Sequence, residues 1–576
     1  MGSSTCGEGE ERSVKRGRIL RWDGPTPPLI PHLNYAHSMI KRMATHGHTV
    51  ALVESETGKQ WTFSELCELV PRVSGGLAEC GVGLGDRVLC LTPIHIDYTL
   101  VLLAIIYRGA TCVPINPTLN AEELAHVLRV SEARWAVVHE ACVSLAEAAF
   151  TYLPSTTLRK MWVMGESPTP DKPSLHDLFS HDPIPPLTTT DGLVPDKMAA
   201  IMPFSSGTTG PSKGVLFSHR TLHVPNMTHL FLEQLQPEKA KMTKEIYSRA
   251  LLLLPVAHSY GHIMLVNNLF VGTTTVCLTK FTPTAFLETI QKYQITVCPL
   301  VPHLVKFLSD TPLLKEYNIT SVKAVMSGAA PIDTDTINNF EKKLYHLLMS
   351  CYLYLHPLTK QTGIPLTRAY GMTETYNAVT RTRPPPDDNP TTVGKVTPYT
   401  EVKVINDGGE LVCEGEEGEL CVRGPGIMLG YANNQIATSA TLDSEGWIHT
   451  GDIGYYDQQD FLYITDRRKD IIKVKAYPVS PHELEEIVKQ YEGVSDVAVV
   501  GVKHQRLGEA PKAFVVLKPN AKVTAAQIQS HVEDRVASYK QLAGGVKFVD
   551  VIPRNPTGKI LKKQLKECDL DPEFSV

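Results

Sequence analysis

Apolar strand-like runs alternate with helical runs along much of the chain, and this alternation limits the possible fold more than any other feature. A capping box at 62–65 predicts the start of a helix, and the continuous apolar run at 88–91 is typical of a buried strand. A further helix is predicted from about Asp97, and a further strand at 110–115. The same rhythm recurs at 251–325. Such alternation predicts an α/β fold with doubly wound, mostly parallel sheets.

The later part of the chain has a different pattern. Short alternating stretches at 402–405 and 419–422, separated by glycine-rich turns, predict antiparallel strands in a small β-barrel-like subdomain. Strands at 497–502 and 513–517 and a helix capped by Thr524 then predict a smaller α+β domain. The predicted large N-terminal region therefore contains two doubly wound subdomains and the barrel-like one, and the α+β domain follows it.

Composition excludes several classes of protein. The net charge of −5 gives no reason to expect nucleic acid or an acidic membrane as a partner. The 12 cysteines show no C-x-x-C spacing, which indicates a reducing compartment. The apolar run 99–107 is too short to cross a membrane, and neither a signal peptide nor a Ser-Lys-Leu ending is seen. We therefore expect a cytoplasmic protein with no transmembrane segment and a disordered tail at 1–24; its oligomeric state is left open.

The segment 205–214 combines glycines, hydroxyl side chains and one lysine between two apolar runs. Glycines let the backbone bring its N–H groups close to a ligand, and hydroxyls with a lysine suit phosphate oxygens. The pattern differs from the common P-loop, because Pro211 and Ser212 precede the lysine and Gly214 follows it. The segment predicts a loop that holds a triphosphate.

Further motifs with related chemistry follow in order. They are Tyr-Gly-Met-Thr-Glu-Thr at 370–375, Thr-Gly-Asp at 450–452, Asp-Arg-Arg-Lys at 466–469 and Pro-Arg-Asn-Pro-Thr-Gly-Lys-Ile at 553–560. With the phosphate loop, they resemble the core motifs of the adenylate-forming enzymes. That superfamily contains acyl-CoA synthetases, 4-coumarate:CoA ligases, beetle luciferases and the adenylation domains of non-ribosomal peptide synthetases. The resemblance covers residues 50–565, nearly the whole chain.

The resemblance implies a ligase that uses ATP, Mg²⁺ and coenzyme A in two steps. A carboxylic acid is first converted to an acyl-adenylate with release of pyrophosphate, and a thiol then displaces AMP. Glu374 is expected to bind Mg²⁺, and Thr373 to contact the α-phosphate. The residues expected to hold the other phosphates are Ser205, Ser206, Gly207, Thr208, Thr209, Gly210 and Lys213.

The same resemblance assigns the rest of the nucleotide site and a domain movement. The residues expected around adenine and ribose are Gly328, Ala329, Tyr370, Gly371, Asp452 and Arg467. Lys559 is expected to bridge the α-phosphate and the acid during the first step, and Lys473 to face the site during the second. Lys469 is the expected hinge, which divides the chain into an N-terminal domain at 25–468 and a C-terminal domain at 469–576.

The acyl pocket is the least constrained part of the site. His258 matches a family position near the carboxylate, although a histidine at the end of an apolar strand can equally be structural. The expected pocket walls are Tyr260, Val301, His303, Gly328 and Thr375. These apolar and small residues suit an aryl or medium-chain acid, and no basic residue is evident for a second carboxylate.

The chain departs from the family pattern in two places. Ala476 and Pro478 stand where relatives usually carry glycine and glutamine, which makes the acceptor of the second step less certain than the first step. The stretch 344–361 lengthens the segment before the Tyr-Gly-Met-Thr-Glu-Thr motif, either as an additional helix or hairpin or through a gene-model error. Three alternatives therefore stay open: an enzyme that loads a carrier protein in trans, a luciferase-like oxidase, and a catalytically inactive binding protein.

Overall fold

The structure is a computed structural model that describes most of the chain. The described residues are 17–155, 157–166, 172–205, 211–237, 240–330, 332, 334–349, 366–382, 389, 391–467, 470–474, 477–504, 506–555 and 558–568. Statements about side chains exclude 240–242, 344–349, 473, 477–478 and 568 as well.

The strands, numbered in chain order, are β1 Leu20–Arg21, β2 Val50–Glu54, β3 Gln60–Thr62, β4 Arg87–Leu91, β5 Thr111–Ile115, β6 Trp135–His139, β7 Lys160–Met164, β8 Ala199–Ile201, β9 Phe204–Ser205, β10 Lys213–Ser218, β11 Arg249–Leu252, β12 Thr274–Cys277, β13 Val297–Leu300, β14 Ala324–Ser327, β15 Leu366–Tyr370, β16 Thr380–Arg381, β17 Lys395–Val396, β18 Glu401–Ile405, β19 Gly418–Arg423, β20 Gly430–Tyr431, β21 Ile448–Tyr456, β22 Leu462–Arg467, β23 Ile472–Val474, β24 Tyr477–Val479, β25 Val494–His504, β26 Gly508–Leu517 and β27 Val546–Phe548.

The α-helices are α1 Tyr35–Met43, α2 Phe63–Glu79, α3 Asp97–Tyr107, α4 Ala121–Ser131, α5 Val143–Phe150, α6 His219–Gln234, α7 Ala240–Ile246, α8 Ser259–Val271, α9 Pro283–Tyr293, α10 Pro302–Asp310, α11 Thr334–Met349, α12 Gln435–Thr441, α13 Pro481–Lys489, α14 Ala525–Glu533 and α15 Lys562–Cys568.

The first sheet has eight strands in the order β20-β10-β8-β5-β4-β6-β7, with β9 paired to β10. Its β8-β5-β4-β6-β7 part is parallel, while β9, β20 and β8 pair antiparallel with β10. The second sheet has nine strands in the order β17-β16-β15-β14-β13-β11-β12-β2-β3 and is parallel from β15 to β2. Helices connect the parallel strands in both, as the strand–helix alternation predicts.

Helix α3 lies entirely within the protein core between these sheets. Every residue of Asp97–Tyr107 is buried, and its apolar side chains join the core cluster that includes Val88, Phe63 and Phe217. A helix that is apolar on all sides requires such surroundings. No helix in the described part of the chain has the length and hydropathy needed to cross a membrane.

The third sheet has five antiparallel strands in the order β1-β18-β19-β21-β22. Its first strand corrects the expected disordered tail, because Leu20 pairs with Val402 and is only 3 % exposed. The prediction of disorder is therefore wrong for 17–24, where a buried leucine fixes the chain against the sheet. Residues 1–16 lie outside the described part of the chain.

The C-terminal domain contains a five-stranded sheet in the order β24-β23-β26-β25, with β27 paired to β26. Helices α13 and α14 pack on it through Leu484, Val488, Ile528 and Val532. The predicted fold class is thus confirmed: a large α/β N-terminal part precedes a smaller α+β domain. Of the stretch 344–361, the residues up to Met349 continue helix α11, and the rest lies outside the described residues.

Candidate active site

A cavity of about 650 Å³ opens where the parallel strands β14 and β15 end. Ligands of α/β proteins bind in this position, beyond the carboxyl ends of the strands. The residues predicted from sequence that line the cavity are Ser205, Lys213, His258, Tyr260, Gly328, Ala329, Tyr370, Gly371, Thr373, Glu374, Arg467 and Lys559. Residues from six distant parts of the sequence are therefore brought together at one cavity, and one of these parts belongs to the C-terminal domain.

Some predicted residues are not placed by the structure. Residues 206–210 and Lys469 lie outside the described part of the chain. Lys473 belongs to β23, and the next residue of that strand, Val474, pairs with Gly508. The structure does not describe the side chain of Lys473. The roles expected for these residues accordingly remain predictions.

The predicted phosphate loop connects two antiparallel strands. Ser205 at the end of β9 pairs with Lys213 at the start of β10, so these two residues lie opposite each other where the loop leaves and re-enters the sheet. Antiparallel pairing fixes both side chains relative to the sheet. The ends of the loop therefore hold a hydroxyl and an ammonium group at the wall of the cavity.

Glu374 lies in a 3₁₀ turn after β15 and is only 7 % exposed. Its Oε1 atom accepts hydrogen bonds from the hydroxyl of Tyr431 at 2.7 Å and from that of Ser205 at 3.3 Å. Among the described residues, none donates to Oε2. One carboxylate oxygen is thus fixed by the protein, and the other is available to a ligand of the cavity.

Tyr431 is a site residue that the sequence analysis missed. It lies in β20, which pairs with β10 directly after the phosphate loop, and its ring centroid is 4.8 Å from the Nζ atom of Lys213. Burial and the neighbouring Glu374 carboxylate raise the pKa of the Tyr431 hydroxyl, so it stays a neutral donor. Strand pairing, which sequence spacing does not reveal, brings Tyr431 to both partners.

Asp452 and its partners form the part of the site expected to hold ribose. The hydroxyl of Tyr370 donates to Oδ2 of Asp452 at 2.7 Å, and Nε of Arg467 lies 2.9 Å from Oδ1. Asp452 faces Arg467 directly in the β21–β22 pair, which aligns the two charges. Asp452 is 2 % exposed, and its contacts with Tyr370 and Arg467 support the placement of both side chains at the cavity.

A second acidic side chain supports the segment of β21 that carries Asp452. Oε1 of Glu419 accepts a hydrogen bond of 3.1 Å from the backbone N–H of Gly451, and its Oε2 lies 3.3 Å from Nδ1 of His449. Gly451 has a φ of +69°, a conformation that glycine adopts without strain. Sequence analysis missed Glu419 and His449, although their position in two alternating strands gave a weak signal.

His258 and Tyr260 lie at the start of α8, on the side of the cavity expected to hold the acyl group. Burial lowers the pKa of His258, so its imidazole is neutral at pH 7. The Tyr260 hydroxyl donates to the backbone carbonyl of Met326 at 3.1 Å, which fixes the ring beside Gly328. A side chain at 328 would approach this ring, so the glycine keeps that space open.

The other predicted pocket walls lie elsewhere. Val301 is 1 % exposed and belongs to the core of the second sheet. The hydroxyl of Thr375 donates a hydrogen bond of 3.0 Å to the backbone carbonyl of Met372. His303 lies beside Gly558, where an added Cβ atom would be 3.0 Å from its Nδ1 atom, and it is not part of the cavity lining. The prediction that Val301, His303 and Thr375 line the acyl pocket is therefore wrong, because each is used by the fold itself.

Lys559 enters the cavity on a loop of the C-terminal domain. Gly558 has a φ of +85°, and the backbone N–H of Lys559 donates to Oδ1 of Asn555 at 2.9 Å. Arg554 braces the loop by donating to the Gly558 carbonyl at 3.1 Å and to Asp496 at 2.9 Å. Burial and the nearby Arg467 lower the pKa of Lys559 to about 8.

Comparison with protein families gives two matches. The model described as AMP-binding enzyme matches residues 40–432, and the model described as AMP-binding enzyme C-terminal domain matches 483–559. Among curated proteins, luciferin 4-monooxygenase of Photinus pyralis is 31% identical over 92% of this chain and 93% of its own. The 4-coumarate–CoA ligase 3 of Arabidopsis thaliana is 31% identical over 95% of this chain and 94% of its own.

Comparison with solved structures finds MatB from Rhodopseudomonas palustris in two states. ATP-bound MatB superposes with a TM-score of 0.78 at 26% identity, covering 92% of this chain and 99% of that chain. Apo MatB gives a TM-score of 0.66 at the same identity, covering 92% and 98%. With the cavity, its ordered motifs and both family matches, these likenesses identify the chain as a member of the AMP-binding enzyme family, within the adenylate-forming superfamily.

Proposed function

We propose that this protein is an ATP-dependent acid–CoA ligase that activates an aryl, medium-chain or long-chain carboxylic acid. The observation that carries the proposal is that Lys559, from the C-terminal domain, faces the same cavity as Lys213, Glu374 and Arg467. These are the charges that a reaction between a carboxylate and ATP requires. The relatives named as CoA ligases support the same reaction class.

The first step joins the acid to the α-phosphate of ATP. An oxygen of the carboxylate forms a bond to the α-phosphorus, the bond from phosphorus to the bridging oxygen breaks, and pyrophosphate leaves. Both reactants are anions, so catalysis depends on alignment and on neutralising charge. Lys559 is placed to stabilise the charge between the α-phosphate and the acid, and Lys213 with the hydroxyls of the phosphate loop holds the departing pyrophosphate.

The nucleotide is oriented by side chains that are already fixed. Tyr370 and Arg467 are held by Asp452 through hydrogen bonds of 2.7 Å and 2.9 Å. Ala329, with a φ of +71°, turns the chain sharply at the cavity wall beside Gly328. We infer that adenine lies between this turn and Tyr370, with Gly371 giving the purine room and the ribose hydroxyls close to Asp452 and Arg467.

The residues at Glu374 fit a magnesium ion. Its buried carboxylate faces the cavity, one oxygen is oriented by Tyr431 and Ser205, and the other accepts no hydrogen bond from the described residues. Carboxylate and phosphate oxygens are the ligands that Mg²⁺ prefers, and one protein carboxylate together with phosphates is typical for it. When bound, the ion neutralises phosphate charge; Thr373 is placed to donate to the α-phosphate on the same side.

The second step transfers the acyl group to coenzyme A. The thiol sulfur bonds to the acyl carbon, the bond from that carbon to the AMP oxygen breaks, AMP leaves and the thiol proton passes to solvent. We infer that 469–576 rotates about Lys469, so that Lys473 replaces Lys559 at the cavity. The higher TM-score with ATP-bound than with apo MatB supports the view that the present arrangement serves the first step.

Oxidation of the acyl-adenylate is a second candidate for the final step. Luciferin 4-monooxygenase of Photinus pyralis is as similar to this chain as the CoA ligases are. A carrier protein is a further possible acceptor, because Pro478 in the edge strand β24 has no backbone donor where relatives carry glutamine. All these hypotheses share the formation of the acyl-adenylate and differ in what accepts the acyl group afterwards.

The test is a mass-spectrometric assay that records acyl-AMP and acyl-CoA separately. The protein is supplied with ATP, Mg²⁺ and coenzyme A, and with aryl, short-chain, medium-chain and long-chain acids in turn; the same mixtures without ATP are the control. We expect both products from one class of acid. Acyl-AMP without acyl-CoA would contradict coenzyme A as the acceptor, and the absence of both products from every acid would contradict the proposed activity.

A further inference from the structure

Arg381 occupies a position in the cavity wall that the reaction described above does not use. It ends β16 and lies directly opposite Ala369 in the antiparallel β15–β16 pair. Both residues line the cavity. Directly opposite residues of an antiparallel pair project on the same face of a sheet, and the small side chain of Ala369 leaves the long arginine room there.

The surroundings of Arg381 place it at the acyl side of the cavity. Burial lowers the pKa of His229 on α6, and the positive charge of Arg381 contributes in the same direction. Burial raises the pKa of the Tyr260 hydroxyl on α8, and the charge of Arg381 opposes that rise. His229 in turn packs edge-on against Tyr247, with ring centroids 5.4 Å apart. All three neighbours line the cavity, and Tyr260 lies beside His258, where the acid group of the substrate is expected.

The guanidinium group of Arg381 has no counter-charge among the residues that the structure describes. Among the described residues it forms no hydrogen bond and no ion pair, although the side chain is partly buried. The acidic side chains of the cavity lining are engaged at the nucleotide side, where Glu374 binds Ser205 and Tyr431, and Glu419 binds Gly451. A charge taken from water without a partner is costly, so such a group normally meets an anion.

His229, the polar neighbour of Arg381, carries no positive charge that would also attract the anion. Burial lowers the pKa of His229 to about 4, and the charge of Arg381 contributes in the same direction. His229 is therefore neutral at pH 7, with one ring N–H to donate. The amide of Asn267, whose Oδ1 accepts from Asn226 at 2.6 Å, adds a further polar group to this side of the cavity.

We propose that the acid activated by this protein carries a second anionic group, a carboxylate, that pairs with Arg381. The planar guanidinium group binds a carboxylate through two parallel hydrogen bonds, which is the geometry best suited to select such a substrate. The inference rests on the proposed ligase function and narrows its substrate to dicarboxylic acids. It departs from the sequence-based expectation of an acyl pocket without a basic residue, because Arg381 lines the cavity.

The test compares monocarboxylic and dicarboxylic acids of equal chain length in the formation of acyl-AMP. We expect the wild-type protein to have a kcat/KM at least about tenfold higher for the dicarboxylic member of the best pair. Arg381→Met, which removes the charge at similar length, should lose at least that factor on the dicarboxylic acid and improve on the monocarboxylic one. Arg381→Lys should keep the preference at reduced size, and Arg249→Met, at an exposed arginine, should match the wild type.

Two results would overturn the inference and leave the ligase proposal standing. One is a wild-type preference for monocarboxylic acids in every pair. The other is an equal loss on both acids in Arg381→Met and Arg381→Lys, which would assign Arg381 to the fold. Absence of acyl-AMP from all acids would overturn the ligase proposal and this inference together.

Discussion

The hydroxyl of Tyr431 lies 2.7 Å from Oε1 of Glu374, while the Tyr431 ring lies 4.8 Å from Nζ of Lys213. One aromatic side chain thus links the carboxylate expected to hold Mg²⁺ with the lysine expected to hold the phosphates. The raised pKa of Tyr431 keeps the hydroxyl protonated as a donor through the neutral pH range. Tyr431 is therefore placed to orient both groups without carrying charge.

Tyr431→Phe should weaken the use of Mg²⁺-ATP and leave the fold intact. The change keeps the ring beside Lys213 and removes a hydrogen bond to a charged group, which contributes about 1.5–3 kcal/mol. We expect a fall of about tenfold or more in kcat/KM for ATP, partly restored by higher Mg²⁺ concentration. Tyr293→Phe, which loses a bond to the Ser55 carbonyl far from the cavity, is the matched control. Equal losses in the two variants would refute a specific role for Tyr431.

Lys559→Ala should separate the two half-reactions. Removing one charged donor from the transition state costs roughly 100-fold to 1,000-fold in rate, so acyl-AMP formation should fall by that factor. Conversion of supplied acyl-AMP to acyl-CoA should be unchanged, because that step is assigned to the rotated arrangement. Lys563→Ala, at a lysine of α15 whose side chain is 85% exposed, should behave as the wild type. An equal loss in both steps would contradict the assignment of Lys559 to the first step alone.

The pH dependence of the first step should report the titration of Lys559. Burial and Arg467 lower its pKa to about 8, so in the free enzyme the required ammonium charge is nearly complete about one unit below that pH and is lost as the pH rises through it. We expect kcat/KM for ATP to fall above pH 8, approaching tenfold per pH unit. Lys559→Arg keeps its charge to much higher pH, so its profile should lack this descent. A descent at the same pH in both proteins would assign it to another group.

The sequence predicts those parts of the fold that depend on neighbouring residues. Thr62 and Thr524 cap α2 and α14 as expected, because a capping box is complete within four consecutive residues. The alternation of strands and helices likewise predicts the two parallel sheets. The tail is a counterexample: Leu20 belongs to a strand only because Val402, far along the chain, supplies its partner.

The candidate site likewise contains residues that local sequence motifs predict and residues that they do not. Residues inside recognisable motifs, such as Lys213, Glu374 and Lys559, were predicted and do line the cavity. Tyr431 and Arg381 were not predicted, since strand pairing alone brings them to the site. Arg381 had one usable signal: it is the first basic residue after the Tyr-Gly-Met-Thr-Glu-Thr motif.

Gly328→Ala should show whether the glycine at 328 is needed for ligand binding or for the stability of the fold. A methyl group at 328 would lie 3.5 Å from the Tyr260 ring, an ordinary van der Waals contact, and the backbone there needs no positive φ. We therefore expect an unchanged Tm. If the purine or the acyl group packs against Gly328, the added methyl group would occupy space that the bound ligand needs. KM for ATP or for the acid should then rise about tenfold or more, because overpacking of a close contact costs about 1–3 kcal/mol.

Gly394→Ala is the contrasting variant for this prediction. Gly394 has a φ of +94°, and a methyl group there would lie 2.2 Å from the backbone carbon of Arg381. That substitution must strain the β16 region, so Tm should fall by roughly 2 °C or more. The informative result is the combination of a normal Tm with a raised KM in Gly328→Ala, a combination that Gly394→Ala with its lowered Tm cannot give. Wild-type kinetics in Gly328→Ala would show that neither substrate approaches Gly328. The nucleotide and the acyl group would then have to bind away from the end of β14.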